Sequence, residues 1–220
     1  MPASLTERII PLQRPLPRAF YNRDPREVSP DLLGKVLLRR AGRKLLAARM
    51  VEVEAYLGEH DPAAHSAVGR TPRNAVMFGP PGFAYVYFIY GNHYCLNVSC
   101  LPEGTAGAIL FRAAEPLLGI ETMAKARGVA VDTPGSLRNL TSGPGRLAEA
   151  FGITRSRDNG KDFADPHSDL TIVDDGYLVP EIVTTARIGI TKAAELPLRY
   201  LIAGNPFVSG TARLRSADSR

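Results

Sequence analysis

The segment 83–100 constrains the fold more strongly than any other part of this sequence. An aromatic and β-branched run from Phe83 to Tyr90 is followed by Gly91 and Asn92, and then by a second apolar run, 94–100. Aromatic and β-branched residues are typical of strands. A Gly-Asn pair between two such runs is a plausible chain reversal. The sequence therefore predicts a β-hairpin here, with Tyr90 next to its tip.

Further strands are predicted at 45–56, 106–112, 170–183 and 198–202, and helices at 117–127 and 146–151. Another helix is expected to begin with Ser29 as its N-cap and Pro30 at its first position. Strands outnumber helices and the loops are short, so we expect one α+β domain around a mainly antiparallel sheet. We assign this domain to 18–212. A Pro-rich leader, 1–17, and a tail, 213–220, are expected to be poorly ordered.

The composition limits the function classes. Of the 220 residues, 45% are hydrophobic and 22% are charged, which excludes a wholly disordered chain and a coiled-coil rod. No apolar run is long enough to predict a membrane-spanning helix, and the N-terminal residues lack the apolar core of a secretory signal. Two cysteines provide no disulfide framework, so we expect a cytoplasmic protein. The net charge of +5 favours polyanion binding only slightly.

Glu52 and Glu54 are the first candidates for chemistry. Period-two alternation puts both on one face of the strand 45–56, with Val51, Val53 and Ala55 on the other. Spacing alone favours a solvated acidic face. The alternative is a carboxylate at a strand end that activates water. Two neighbours on one strand are only a weak indication of a glycoside hydrolase pair.

His60, Asp61 and His65 form a second cluster. A metal site there is possible, but Cys95 and Cys100 supply no CxxC pair, so a hydrogen-bonding histidine is the favoured interpretation.

Two further features keep alternatives open. Half of the 8 tyrosines lie in the hairpin, either as core residues or as a stacking platform with Tyr90 as an exposed wedge. The segment Ser142-Gly-Pro-Gly-Arg146 could hold a phosphate at a helix N-terminus, or be a plain turn. It lacks the Walker pattern.

Several strings together resemble the alkyladenine (3-methyladenine) DNA glycosylase family, in order from about Phe20 to Ser209. They are VEVEAYLG from 51, AHS from 64, TPRN from 71 with MF at 77, YVYFIYG from 85, LNVS around Asn97, LFRAAEP from 110, SGP from 142, RIG from 187, PLRY from 197 and GNPFVS from 204. The chain departs from the family pattern at Gly79-Pro80-Pro81-Gly82, where members often carry a lysine, and it has no tryptophan.

The resemblance implies a curved antiparallel sheet in one domain. It also implies excision of alkylated or deaminated purines from double-stranded DNA by a monomer that needs no cofactor and no metal. Glu54 corresponds to the general base for water, and Arg112 and the carbonyl of Ile188 to the other groups that hold this water. No lysine matches a nucleophile position, so a water nucleophile without strand cleavage is expected.

The resemblance also assigns binding roles. Tyr56, His65 and Tyr87 correspond to the residues that sandwich the flipped base, and Asn97 to the one that crowds the 2-amino group of guanine. The remaining assignments concern DNA: Tyr90 as the intercalating residue, Ser142 and Arg146 as phosphate contacts.

Overall fold

An antiparallel sheet forms the centre of the molecule in the computed structural model, which describes residues 14–89, 91 and 93–210. Its strands are β1 (Val36–Ala41), β2 (Lys44–Tyr56), β3 (Ala84–Ile89), β4 (His93–Ser99), β5 (Ala108–Leu118), β6 (Leu170–Val173), β7 (Ile182–Thr185) and β8 (Arg199–Ile202). The main order is β3-β4-β5-β2-β1-β6, and β8 joins β2 to β7. All of these pairings are antiparallel.

The 13-residue strand β2 makes the sheet curve. One of its edges pairs with β5 along most of its length, with register shifts around Glu52. Its other edge pairs first with β1, through Arg49, and then with β8, from Glu52 to Glu54. Irregular register adds local twist and bend to a strand. The predicted α+β fold with a curved, mainly antiparallel sheet is confirmed.

Helices pack against the sheet and complete the core. They are α1 (Arg18–Tyr21), α2 (Pro25–Leu32), α3 (Ile120–Arg127), α4 (Pro134–Thr141), α5 (Pro144–Ala150) and α6 (Arg155–Asp158). Helix α5 packs on β4 and β5 through buried residues such as Leu147. Burying a leucine side chain contributes about 1.5–3 kcal/mol, so this contact fixes the start of α5 against the sheet. No helix in the described part of the chain combines the length and apolar character that crossing a membrane requires.

The helix predicted to begin at Ser29 is wrong in its position. Helix α2 begins after Asp24, whose carboxylate accepts the backbone N–H of Arg26 at 2.8 Å, and Pro25 occupies the first turn. Asp24-Pro25 is an equally good signal for a helix N-terminus, and it lies five residues before Ser29-Pro30. Pro30 therefore lies inside the helix, and the apolar residues that follow form β1 between β2 and β6. Strand pairing on both edges of β1 stabilises these residues as a strand, although the sequence pattern predicts a helix.

Most other elements lie where the sequence predicts them. The hairpin is β3 paired with β4, and the strand 45–56 is β2. The segment 170–183 contains β6 and only the start of β7. At the chain ends, residues 1–13 and the tail 213–220 lie outside the described residues. Leu16, within the predicted leader, is buried and bonds to Ile172.

Candidate active site

The two acidic residues of β2 are buried. Glu52 and Glu54 both have a relative exposure of 0%. They share one face, as predicted, because both contact the guanidinium of Arg112. The solvated-face interpretation is wrong because arginine side chains of β5 and β8, together with the segment at Ile188, cover this face. A buried carboxylate requires donors, so its partners define the site.

Two hydrogen-bond donors and one ion pair hold the Glu54 carboxylate. The backbone N–H of Ile188 donates to Oε1 at 2.7 Å, and Arg112 Nη1 lies 3.2 Å from the same oxygen. The hydroxyl of Tyr56 donates to Oε2 at 3.0 Å. Burial raises the pKa of Glu54 above its ordinary value, although Arg112, Ile188 and Tyr56 oppose the rise. A carboxylate with a raised pKa is a stronger proton acceptor than a solvated one.

Arg112 and Ile188 lie beside Glu54. Arg112 Nη1 lies 3.5 Å from the carbonyl oxygen of Ile188. Burial lowers the pKa of Arg112, but the charges of Glu54 and Glu52 outweigh it, so the pKa is raised and the side chain stays cationic. The structure thus brings one carboxylate, one guanidinium and one carbonyl together, from three distant parts of the chain.

A cavity of about 540 Å³ opens in front of this group. Its volume is in the range of about 300–1,000 Å³ that is usual for small-molecule sites. Glu54 lies behind the cavity wall, whereas its three partners line it. The lining residues are Tyr56, Ala63, His65, Met77, Tyr85, Tyr87, Ile89, His93, Cys95, Asn97, Ala108, Leu110, Arg112, Ser142 to Arg146, and Ile188 to Ile190.

One wall of the cavity is aromatic. The rings of His65 and Tyr87 meet edge to face, with centroids 4.4 Å apart, and His65 Nδ1 lies 3.0 Å from the Tyr85 hydroxyl. Burial and the charge of Arg73 lower the pKa of His65, so its imidazole is neutral at pH 7. Tyr85 also lines the cavity, although it is not among the site residues that the resemblance indicates. Its two-residue spacing from Tyr87 is the signal that could have assigned it to the site.

Asn97 lies at the base of the same wall. It is buried on β4 opposite Tyr85 of β3, and its Nδ2 donates to the carbonyl oxygen of Tyr85 at 3.0 Å. This bond orients the carboxamide of a residue that lines the cavity.

Asp61 pairs with Arg187 rather than contributing to a metal site. Arg187 donates to both carboxylate oxygens of Asp61, and also to the carbonyl oxygen of Ala55 at 3.0 Å. Its guanidinium covers one face of the Tyr56 ring at 4.7 Å from the centroid. In the described ranges, no three His, Cys, Asp or Glu side chains form a metal-holding group. The pair instead ties the segment around Ile188 to the end of β2.

Of the three residues that the resemblance assigns to DNA contacts, two lie at the cavity and one lies outside the described residues. Ser142 and Arg146 both line the cavity, where the chain enters α5, and Arg146 is exposed. Arg146 Nη1 lies 3.2 Å from the side-chain oxygen of Asn139 and 3.5 Å from the carbonyl oxygen of Ser142. Tyr90 lies outside the described residues.

Comparison with known proteins agrees with the resemblance noted above. The family model described as methylpurine-DNA glycosylase matches residues 19–206. A protein of Koribacter versatilis, named "Putative 3-methyladenine DNA glycosylase", is 68% identical, and the alignment covers 89% of this chain and 93% of that protein.

Relatives with the same name come from other bacteria. One from Burkholderia lata is 48% identical, with coverage of 91% of this chain and 93% of its own. Another, from Alkaliphilus oremlandii, is 48% identical, with 88% and 98% covered. These matches confirm the prediction of a DNA glycosylase-type hydrolase. With a match along nearly its whole length, the chain belongs to the methylpurine-DNA glycosylase family.

Proposed function

We propose that this chain is a monofunctional DNA glycosylase. It flips an alkylated or deaminated purine nucleotide out of duplex DNA and hydrolyses the N-glycosidic bond with an activated water. The observation that carries the proposal is Glu54, a fully buried carboxylate with a raised pKa, whose three partners line an aromatic cavity.

The reaction requires a base, a water and a leaving purine. Glu54 accepts a proton from the water, whose oxygen forms the new bond to C1′ while the C1′–N9 bond breaks and its electron pair leaves with the base. A purine that is methylated at N3 or N7 is cationic before cleavage, so it leaves as a neutral molecule. A neutral base such as hypoxanthine takes up a proton from solvent as it leaves. The charge of Glu54 also stabilises the positive sugar that develops in the transition state.

Glu54 has the acceptor capacity for this role. A carboxylate has about four lone-pair directions. Ile188 donates to Oε1, which also lies beside the charge of Arg112, and Tyr56 uses one direction of Oε2, so among the described residues' bonds one direction of Oε2 remains for water. The carbonyl of Ile188 is an acceptor for the second water proton. Arg112 contacts both this carbonyl and Glu54, and so fixes the distance between these two acceptors.

The aromatic wall fits a flipped purine. Tyr56, His65 and Tyr87 provide ring surfaces around the cavity, and base–aromatic stacking contributes about 1–3 kcal/mol per base. A cationic methylpurine gains more, because aromatic faces attract cations. The neutral His65 adds no repulsion to such a base. Asn97, held by its bond to Tyr85, would crowd the 2-amino group of guanine.

Duplex DNA is the proposed partner of the exposed edge of the cavity. Flipping a nucleotide costs a few kcal/mol, which contacts outside the base pocket must offset. We assign phosphate contacts to Ser142 and Arg146, and intercalation to Tyr90.

A fluorescent base analogue beside the lesion would test Tyr90, because Tyr90→Ala should lower the flipped population. The protein is expected to act as a monomer, which light scattering at assay concentration can check.

A duplex excision panel tests the function as a whole. Each duplex carries one lesion (3-methyladenine, 7-methylguanine, hypoxanthine or ethenoadenine), and alkali reveals abasic sites as strand breaks. We expect breaks with at least one lesion and none without alkali treatment. Binding of lesion duplex without excision would indicate a non-catalytic DNA-binding domain. Cleavage of free nucleosides but not of duplexes would indicate a nucleoside hydrolase.

A further inference from the structure

Behind the proposed catalytic group lies a second buried carboxylate that the mechanism above does not use. Glu52 does not line the cavity, and it is fully buried. It is part of a cluster with Glu54, Arg112 and Arg199, in which the two negative and two positive charges balance. The two arginine side chains are only 8% and 1% exposed.

Glu52 is the centre of this cluster. Its Oε1 accepts Arg112 Nε at 2.9 Å, Arg199 Nε at 2.7 Å and the hydroxyl of Ser209 at 2.8 Å. Its Oε2 accepts the backbone N–H of Ser209 at 2.6 Å. Both oxygens of Glu52 are therefore engaged, and charge-assisted hydrogen bonds of this kind are strong and directional.

Arg199 holds Glu52 from the other side. Its Nη2 donates to the carbonyl oxygen of Ser209 at 2.9 Å, and its Nη1 to the hydroxyl of Thr185 at 3.2 Å. Glu52 is thus fastened to β7, β8 and the segment after β8, and it presents a fixed acceptor to Arg112.

The guanidinium is planar, with its donors in a rigid fork. Once Nε is bound to Glu52, the direction of Nη1 is set, and Nη1 lies 3.2 Å from Glu54 Oε1 and 3.5 Å from the Ile188 carbonyl oxygen. We propose that Glu52 is a positioning residue that orients Arg112 so that only one of its nitrogens engages Glu54. The inference rests on the proposed function and deepens it.

Loss of the Glu52 carboxylate should change the pKa of Glu54, the proposed proton acceptor. The groups that face Glu54 are Tyr56 and Glu52 from its own strand, Cys95 from β4, Arg112 from β5, and Arg187 with the Ile188 N–H from the segment before β8. In Glu52→Gln, Arg112 loses one of its two carboxylate partners, and Glu54 loses its negative neighbour. Both changes lower the pKa of Glu54 and make it a weaker base.

The experiment compares the wild type with Glu52→Gln. Single-turnover excision is measured against pH, and the Glu54 carboxyl is titrated directly by carbon-13 NMR, its signal being the one that disappears in Glu54→Gln. We expect a rate about 10²-fold lower at neutral pH, the loss that a 1 Å misplacement in a catalytic group can cause. The acid limb of the rate and the NMR titration should both move to lower pH.

Asp158→Asn is the matched control. Asp158 is a fully buried carboxylate that binds Arg39 of β1 at 2.8 Å, and neither residue lines the cavity. This variant should lower the unfolding temperature but leave both titrations in place. A shift equal to that of Glu52→Gln would show a general effect of lost stability and would overturn the proposal.

Two double variants keep the proposal testable. If Glu52→Gln does not fold, Glu52→Gln with Arg199→Gln removes the unpaired cation, and the same shifts are expected. In an Arg112→Met background, Glu52→Gln should cause little further loss of rate, because only the direct effect of its charge on Glu54 remains; a full additional loss would contradict the proposal. If the wild type excises no lesion, the proposed function fails, whereas an unchanged NMR titration in Glu52→Gln refutes the role of Glu52 itself.

Discussion

The floor and the wall of the cavity are built on opposite principles. At the floor, Glu54, Arg112 and Glu52 form a buried charged cluster that borders the cavity through Arg112. The wall, with His65 and Tyr87, is neutral and aromatic and is open to the cavity. Fixed charges serve a step in which charge develops, and ring faces serve recognition of a flat ligand. Changes at the floor should therefore affect chemistry, and changes at the wall should affect binding.

The largest effect is expected from Glu54→Gln, which preserves shape but removes the proton acceptor. Loss of a general base costs about 10²–10⁴-fold in rate, and loss of the negative charge adds to it. Single-turnover excision should fall by at least this factor, while the Kd for lesion duplex changes little. Excision close to the wild-type rate would remove Glu54 from its proposed role.

The next largest effect is expected on stability, from the buried ion pair between Asp61 and Arg187. Asp61→Asn leaves Arg187 buried without its carboxylate, and breaking a buried pair costs about 3–5 kcal/mol in the free energy of unfolding. Although burial alone would raise it, the bonds from Arg187 and the backbone hold the pKa of Asp61 below its ordinary value. The stabilisation is therefore present above the unfolded-state pKa and is lost as the pH falls through the folded-state pKa.

Urea unfolding at several pH values checks this. The difference in the free energy of unfolding between the wild type and Asp61→Asn should be largest near pH 7 and should become smaller at acidic pH. Glu59→Gln, an exposed neighbour, is the control and should be neutral. A difference that does not depend on pH would contradict the assignment of stability to the ionised Asp61.

A smaller effect is expected at the wall. Tyr87→Leu keeps an apolar side chain but removes the ring, so lesion binding should weaken by about 1–3 kcal/mol. The excision rate at saturating DNA should change much less. Phe88→Leu is the control, because alternation along β3 turns Phe88 away from the cavity. Equal losses in both variants, measured by fluorescence anisotropy, would show that the wall has no special role.

The smallest effect is expected at the edge of the cavity. Arg146→Ala should reduce the slope of log K against log salt by about 0.9, the value of one phosphate contact. It should weaken all DNA sequences alike. Arg43→Ala, in the turn between β1 and β2, should leave the slope unchanged. An unchanged slope in Arg146→Ala would remove the phosphate contact from the proposal.

Local pattern determined a good part of this protein. The aromatic hairpin, the strand that carries Glu52 and Glu54, and their common face all follow from two-residue alternation and strand-forming residues. Ordered strings along the chain also indicated the family, because each one preserves local chemistry. The start of α2 was misplaced, since Asp24-Pro25 and Ser29-Pro30 are equal local signals and only the pairing of β1 decides between them.

Burial and partnership were decided by tertiary structure alone. Alternation shows that Glu52 and Glu54 share a face, but not that arginines of β5 and β8 cover it. Ser209 lies 157 residues from Glu52, and Arg187 lies 126 residues from Asp61. No local pattern encodes such contacts, because they exist only once the sheet has brought distant segments together. The solvated acidic face expected from spacing thus became a buried, charge-balanced cluster, since a buried carboxylate is stable only with donors that the rest of the fold supplies.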